Sequence, residues 1–305
     1  MRIVLVGAVE STQEALETLI ASGNAPVAVI TLPLETLSRH SDCVDLGPIV
    51  RENYIGIHHT NDVNSDETLH FLSGIEPDLL LVVGWSQICG VKFRNVCRLG
   101  AIGFHPSALP KLRGRAVIPW TILTGQTETG STFFWLDASI DAGDIVMQRV
   151  FPVSPGETAR SLYDRHIQEL KAMIPDLVAA VQSGNPPRYP QEHSDATFCA
   201  RRTATDGRID WHAPAAEIVT LVRAVGDPYP GAFTRYDGSA LYLDTARVFP
   251  EGRRYIGLTG QVQTHTEQGF VVRCGDGECI EVTEWRMEDG KKPRRHAMLG
   301  GGGGM

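Results

Sequence analysis

Short apolar runs recur through the first half of the chain, each followed by a turn and then an amphipathic stretch. Residues 3–6, 26–31, 55–58 and 77–83 are four such runs, and the last carries no polar residue from Leu79 to Val83. An unbroken apolar run of that length is what a strand covered on both faces requires. Between the runs, apolar positions return at helical spacing over residues 13–21, 45–52 and 62–72, which predicts helices there. A fifth run, Ala101 to Phe104, stops on His105 and is followed by Pro106, Ser107 and Pro110. It reads as a buried strand that delivers an imidazole to the carboxyl edge of a sheet, where open α/β folds keep their chemistry.

The pattern continues with a helix over residues 115–124, Pro119 being tolerated near its start, and with strands over 130–136 and 144–150. A long amphipathic helix spans 158–182 and is stopped by Gly184-Asn-Pro-Pro. Strands alternating with helices predict a parallel-rich α/β sheet. Beyond it the period changes. Residues 185–206 run through Asn-Pro-Pro, Gln-Glu-His-Ser-Asp and Arg-Arg-Thr and read as a linker or docked arm. A helix is predicted over 213–225, and residues 241–248, 260–266, 270–274 and 279–285 alternate as strands of a small antiparallel domain. The expected organisation is a domain at 1–190, a linker at 191–206, a second domain at 207–298 and a disordered Gly-rich tail at 299–305.

With 305 residues, two domains are the expectation. The net charge of −8 argues against a broad nucleic-acid footprint. The polar loop at 33–41 carries Arg39 and His40 but no Lys/Arg-rich insertion, and the short basic run 291–295 reads as a solvated loop. Met1-Arg2 leads directly into the first strand, so no secretory leader is expected; no apolar run reaches membrane-spanning length. The six cysteines lack disulfide or zinc spacing. Cys274 and Cys279 flank Gly-Asp-Gly-Glu, which reads as a hairpin turn, and no metal is expected. A cytoplasmic protein with reduced thiols is the expectation.

The candidate chemistry centres on His105 and on Asp141, which lies in a Gly-rich turn with Asp137, Gly143 and Asp144. An imidazole and a carboxylate at neighbouring strand ends are the parts needed to move a proton at neutral pH. The first strand–helix turn holds only Gly7 of a G-x-G-x-x-G fingerprint, so a nicotinamide dehydrogenase is disfavoured. His58 and His59 are adjacent on a strand, point to opposite faces and are expected to be solvated.

His105-Pro-Ser-x-Leu-Pro-x-x-Arg-Gly, followed by Asp137-x-x-x-Asp141-x-Gly-Asp, resembles the folate-dependent formyltransferase family over residues 1 to about 190. Ile209-Asp-Trp211, Arg223-Ala and Pro228-x-Pro-Gly-Ala232 resemble that family's carboxy-terminal domain, an open β-barrel of the oligonucleotide-binding (OB-like) type. The resemblance implies a Rossmann-like catalytic domain and 10-formyltetrahydrofolate as co-substrate. It places the pterin against the loop Trp85, Ser86, Gln87 and Ile88, with Leu109, Pro110, Ala138 and Ile140 completing the folate site. It also raises the expectation of a cis bond before Pro110. His105 and Asp141 match two of three catalytic positions; where the third is Asn in the family, this chain has Gly103. The amide that would donate to the developing oxyanion is missing. Loss of one such donor typically costs about 10²–10³ in rate. Ser107, Gln87 or the acceptor itself could supply a replacement, or transfer could have been lost. Arg113 and Arg115 are candidates to meet an anionic part of donor or acceptor. The acceptor expected first is a small-molecule amine, an amino-sugar nucleotide or an N-hydroxyornithine. Initiator tRNA comes second, then hydrolysis of formyl-folate or folate binding without turnover.

Overall fold

The four apolar runs become parallel strands β1 (Ile3–Val6), β2 (Ala28–Thr31), β3 (Gly56–His59) and β4 (Leu79–Val82), and β5 (Gly100–His105) extends the set. The computed structural model describes residues 1–37, 42–288 and 290–300. Arg39, His40 and the tail from residue 301 lie outside the described residues. The chain divides into two units: one of residues 1–118, 126–154 and 162–201, the other of residues 119–125, 155–161 and 202 onward.

In the first unit a two-residue strand, β6 (Arg113–Gly114), stands apart, and β7 (Glu128–Trp135) and β8 (Ile145–Pro152) close one edge of the main sheet antiparallel, giving the order β3-β2-β1-β4-β5-β7-β8. Successive strand residues face opposite sides, and each side has its own core. Ile3 and Leu5 pack with Leu16 and Leu19 of α1 (Glu10–Ala21). The same core holds Val50 of α3 (Gly47–Glu52) and Leu170 and Leu177 of α7 (Ala159–Gln182). Val4 and Val6 pack on the other side with Leu72 of α4 (Asp66–Ile75) and Phe93 of α5 (Val91–Arg94). A helical turn, α2 (Leu34–Leu37), precedes α3, and α6 (Val117–Leu123) precedes β7. The strand order reverses between β1 and β4, where doubly wound folds commonly bind nucleotides. Here α1 is tied to the end of β4. Thr12 Oγ1 donates to the Val83 carbonyl at 2.7 Å, and a Cβ on Gly7 would lie 1.9 Å from the same oxygen.

Several sequence expectations shift. α4 starts at Asp66 rather than at 62, because Ser65 is its cap, its Oγ accepting from Thr68 N at 3.2 Å. α6 starts at Val117 because Arg113–Gly114 is pulled into a parallel pair with β9 (Phe198–Cys199). The segment read as a linker or arm is therefore a docked arm over residues 189–199. His58 is not solvated: it stacks on Phe71 at 4.6 Å and shares a 3.0 Å hydrogen bond with Thr68 Oγ1. Burial lowers its pKa.

The second unit carries α8 (Ala215–Val225) packed on an open antiparallel sheet of β10 (Ala232–Tyr236), β11 (Ser239–Val248), β12 (Val262–His265), β13 (Phe270–Arg273) and β14 (Cys279–Arg286), ordered β10-β11-β14-β13-β12. β10 escaped the sequence reading because Asp227-Pro-Tyr-Pro-Gly reads as loop. Cys274 and Cys279 flank the β13–β14 turn as free, buried thiols. The basic run is folded back on its own domain: Lys292 lies over Trp285, and Arg294 N donates to Tyr236 Oη at 3.2 Å. Leu299, expected to begin the loose tail, is buried, with its N–H on the Gly260 carbonyl at 2.8 Å. Among the described residues no helix is long and apolar enough to cross a membrane, and no cluster of His, Cys, Asp and Glu is arranged to hold a metal ion.

Candidate functional site

β5 ends on His105, and its side chain leaves the sheet on the same face as Ala101 and Gly103. The imidazole is 5% exposed, its Nε2 donates to the Leu112 carbonyl at 2.8 Å, and its edge faces Phe134. Because a carbonyl only accepts, that contact places a proton on Nε2 and leaves Nδ1 for the site. Nδ1 lies 3.6 Å from Asp141 Oδ2. That separation is too long for a hydrogen bond, and a proton on Nδ1 would turn the contact into an ion pair.

Asp141 reaches His105 by an unexpected route. β7 runs antiparallel to β5, so the turn after Trp135 starts at the amino end of β5, where Leu136 N donates to the Ala101 carbonyl at 2.8 Å. Residues 136–144 then fold back across the β5 face that carries Gly103 and His105. Asp141 sits at φ +50°, and its Oδ2 accepts from Gly114 N at 2.8 Å. Gly143 is required by the fold: a Cβ there would lie 1.8 Å from the Trp135 carbonyl.

At Gly103 the side-chain space is already occupied. A Cβ would meet Leu136 Cδ2 at 2.7 Å and the Phe134 ring at 3.1 Å. The two neighbours considered as replacement donors are committed elsewhere. Ser107 is fully buried with its Oγ donating to the Lys111 carbonyl at 2.7 Å, so it braces the loop. Gln87 spans to the 61–63 segment, its Nε2 donating to the Asn61 carbonyl and its Oε1 accepting from Val63 N. Arg113 is 3% exposed; its Nε and Nη2 converge on Gln191 Oε1 at 3.2 and 2.7 Å, and Nη2 also reaches His193 Nδ1 at 3.0 Å. Its role is internal bracing. Arg115 is exposed and tethered to the Ser86 carbonyl.

The expected folate loops lie beside this pair. Ile88 and Ile140, one from each loop, are 65% and 56% exposed. Ser86 and Ala138 are also exposed, and the half-buried Trp85 holds its indole N–H without a partner. The 84–90 loop is fixed by Asn64, which sequence reasoning missed: its Nδ2 donates to the Ile88 carbonyl at 3.0 Å and its Oδ1 accepts from Gly90 N at 2.6 Å. The Leu109–Pro110 bond is cis, and Gln148 Nε2 holds the Leu109 carbonyl at 2.9 Å. No thiol is activated nearby: burial pushes Cys89 up to about 12 and Cys199 up to about 11.

Residues 49–178 match the formyl transferase family, and residues 202–301 match the formyl transferase C-terminal domain. A methionyl-tRNA formyltransferase of Akkermansia muciniphila is 30% identical over 307 residues, covering 99% of this chain and 96% of the relative. Among solved structures, HypX from Aquifex aeolicus in complex with tetrahydrofolic acid superposes with a TM-score of 0.67 at 18% identity, over 94% of this chain and 44% of that one. WlaRD, a sugar 3N-formyl transferase solved with dTDP and 5-N-formyl-THF, gives a TM-score of 0.65 at 19% identity, over 93% and 97% of the two chains. The two structures share the fold, and the full-length relative and both domain matches agree on the assignment: the chain belongs to the folate-dependent formyltransferase family.

Proposed function

We propose that this chain transfers the formyl group of 10-formyltetrahydrofolate to the amine of a small-molecule acceptor, with His105 and Asp141 as the catalytic pair. The observation that carries the proposal is the 3.6 Å approach of His105 Nδ1 to Asp141 Oδ2 beside two loops with exposed apolar tips. The pterin would lie against Trp85, Ser86, Gln87 and Ile88, closed by Leu109, Pro110, Ala138 and Ile140. Flat heteroaromatic rings favour such apolar walls with backbone donors and acceptors beside them.

The chemistry follows from the protons. The acceptor nitrogen attacks the formyl carbon, the carbonyl oxygen gains charge, and the C–N10 bond breaks as N10 takes a proton. His105 Nδ1 is the unprotonated ring nitrogen, so it receives the amine proton; the facing carboxylate of Asp141 turns the resulting imidazolium into an ion pair. The same proton then passes to N10. Gly103 contributes no amide, and Ser107 and Gln87 are engaged elsewhere, so the oxyanion develops without its customary helper. Turnover should therefore lie about 10²–10³ below that of a site holding the amide.

A small acceptor is favoured by the net charge of −8, by Lys292 lying over Trp285 and by Arg294 Nε donating to Tyr236 Oη at 3.3 Å. Initiator tRNA is the second reading, favoured by full-length likeness to a methionyl-tRNA formyltransferase. The test is release of tetrahydrofolate from 10-formyltetrahydrofolate with amino-sugar nucleotides, N-hydroxyornithine or charged initiator tRNA. Turnover with a small amine that is insensitive to salt supports the first reading. Turnover only with tRNA, weakening steeply with salt, supports the second. No acceptor-dependent release with any of them refutes formyl transfer, and formate appearing without an acceptor reassigns the protein as a hydrolase. The expected setting is cytoplasmic, where reduced folates are at hand.

A further inference from the structure

The docked arm does more than connect two units. Gln191 lies between the two family matches, which end at residue 178 and resume at 202. Its side chain is 6% exposed and its Nε2 donates to two carbonyls of the Asp141 loop, Asp141 O at 2.9 Å and Gly143 O at 2.7 Å. Its Oε1 is fixed from the other side by the Arg113 guanidinium, which is itself steadied by His193 of the same arm. Arg113 belongs to the second site loop: the neighbouring Gly114 N–H holds Asp141 Oδ2, and Leu112 supplies the carbonyl that fixes the His105 tautomer. The arm also ties that loop directly, through Leu112 N on Thr197 Oγ1 and Arg113 N on the Thr197 carbonyl, both at 2.8 Å.

Asp141 needs such a restraint. A non-glycine residue at φ +50° is in the sparsely occupied left-handed region, and positions of that kind persist only when their surroundings over-determine them. The backbone of Asp141 is gripped by one amide, and its carboxylate by one backbone N–H. We propose that Gln191 is a positioning residue for catalysis: its amide bridges Arg113 to the backbone of residues 141–143 and so sets the Asp141 carboxylate against His105. The inference rests on His105 and Asp141 being the catalytic pair.

Gln191→Glu separates this role from a merely structural one. A carboxylate at that position still accepts from Arg113, now as an ion pair, so the arm stays docked. It has no N–H for the two carbonyls and repels both. A displacement of about 1 Å at a catalytic group costs on the order of 10²-fold in rate. The expected result is a melting temperature close to wild type, kcat lowered by about 10²-fold, and KM for 10-formyltetrahydrofolate changed much less. Faster amide hydrogen exchange confined to residues 141–144 is expected in the same protein. Wild-type turnover and unchanged exchange in the variant overturn the inference. Failure of the underlying function reading shows separately, as a wild-type enzyme without transfer activity; the exchange measurement then still decides whether Gln191 holds the Asp141 loop. If Gln191→Glu unfolds, Gln191→Met, similar in length and uncharged, is read in the same two assays, with the same outcomes expected and the same outcomes fatal.

Discussion

Restoring the family amide at Gly103 tests both the packing and the catalytic argument. Gly103→Asn places a Cβ 2.7 Å from Leu136 Cδ2 and 3.1 Å from the Phe134 ring. Leu136 Cδ2 is the far end of a flexible side chain and can turn aside, but the Phe134 ring, held in β7, must give way by a few tenths of an ångström. Overpacking of this kind costs roughly 1–3 kcal/mol, equivalent to a few degrees in melting temperature for a unit of this size. The single variant should therefore melt below wild type and gain little rate, because Leu136 occupies the space the amide needs. Leu136→Ala opens that space. Leu136 is half-buried, so its truncation should cost less than the ~2–5 kcal/mol of a fully buried leucine. The double variant should then be more stable than the sum of the single changes predicts, by about 0.5–3 kcal/mol of coupling. Its turnover should exceed wild type by at least about 10-fold, part of the ~10²–10³ that one oxyanion donor supplies. Thermal unfolding and tetrahydrofolate release measure the two quantities on the same four proteins. Strictly additive melting would refute the claim that Leu136 fills the vacated position. A well-folded double variant no faster than wild type would refute the missing-donor argument.

Two further outcomes follow from buried groups. His166 is 2% exposed, with Nδ1 2.9 Å from Ser131 Oγ and no partner at Nε2, and burial pushes its pKa down to about 3, with a smaller contribution from His105. Its folded-state pKa lies below the unfolded value near 6.5, so its stabilisation is complete above that pH and is lost as pH falls toward 3. At roughly 1.4 kcal/mol per unit the loss can reach roughly 5 kcal/mol. His166→Gln should flatten the loss of stability between pH 6 and 4 in urea titrations; parallel curves for the two proteins would contradict this. Gly143→Ala drives a Cβ into the Trp135 carbonyl, so the Asp141 loop must move. A stability loss of at least about 1–3 kcal/mol and a fall of about 10²-fold in kcat are expected, and wild-type melting and turnover would count against the geometry.

The fold was legible where burial dictates pattern. The unbroken run at Leu79–Val83 and the run ending on His105 are strands because both faces are covered, and the long helix before Gly184 keeps one apolar stripe. What stayed hidden is what non-local pairing decides. Arg113–Gly114 is strand only because residues 198–199 come alongside, and nothing in the local sequence announces a partner that far away. For the same reason Arg113 read as a candidate anion contact, whereas its guanidinium is spent on Gln191 and His193. His105, Asp141 and Gly143 were visible from motif spacing. Gln191 and Asn64 were not, since a side chain that braces a backbone carbonyl leaves no periodicity. The family's missing amide was visible as a glycine, but its consequence was not: Leu136 and Phe134 fill the position.

If the His105–Asp141 pair moves the amine proton during formyl transfer, Asp141→Asn removes half of that pair. Asparagine keeps an oxygen for the Gly114 N–H at 2.8 Å and removes the negative charge 3.6 Å from His105 Nδ1. Acceptor-dependent tetrahydrofolate release should fall by about 10²–10⁴, while the variant still binds 5-formyltetrahydrofolate as wild type does. Release at the wild-type rate from a folded, folate-binding Asp141→Asn protein would contradict that role of the pair.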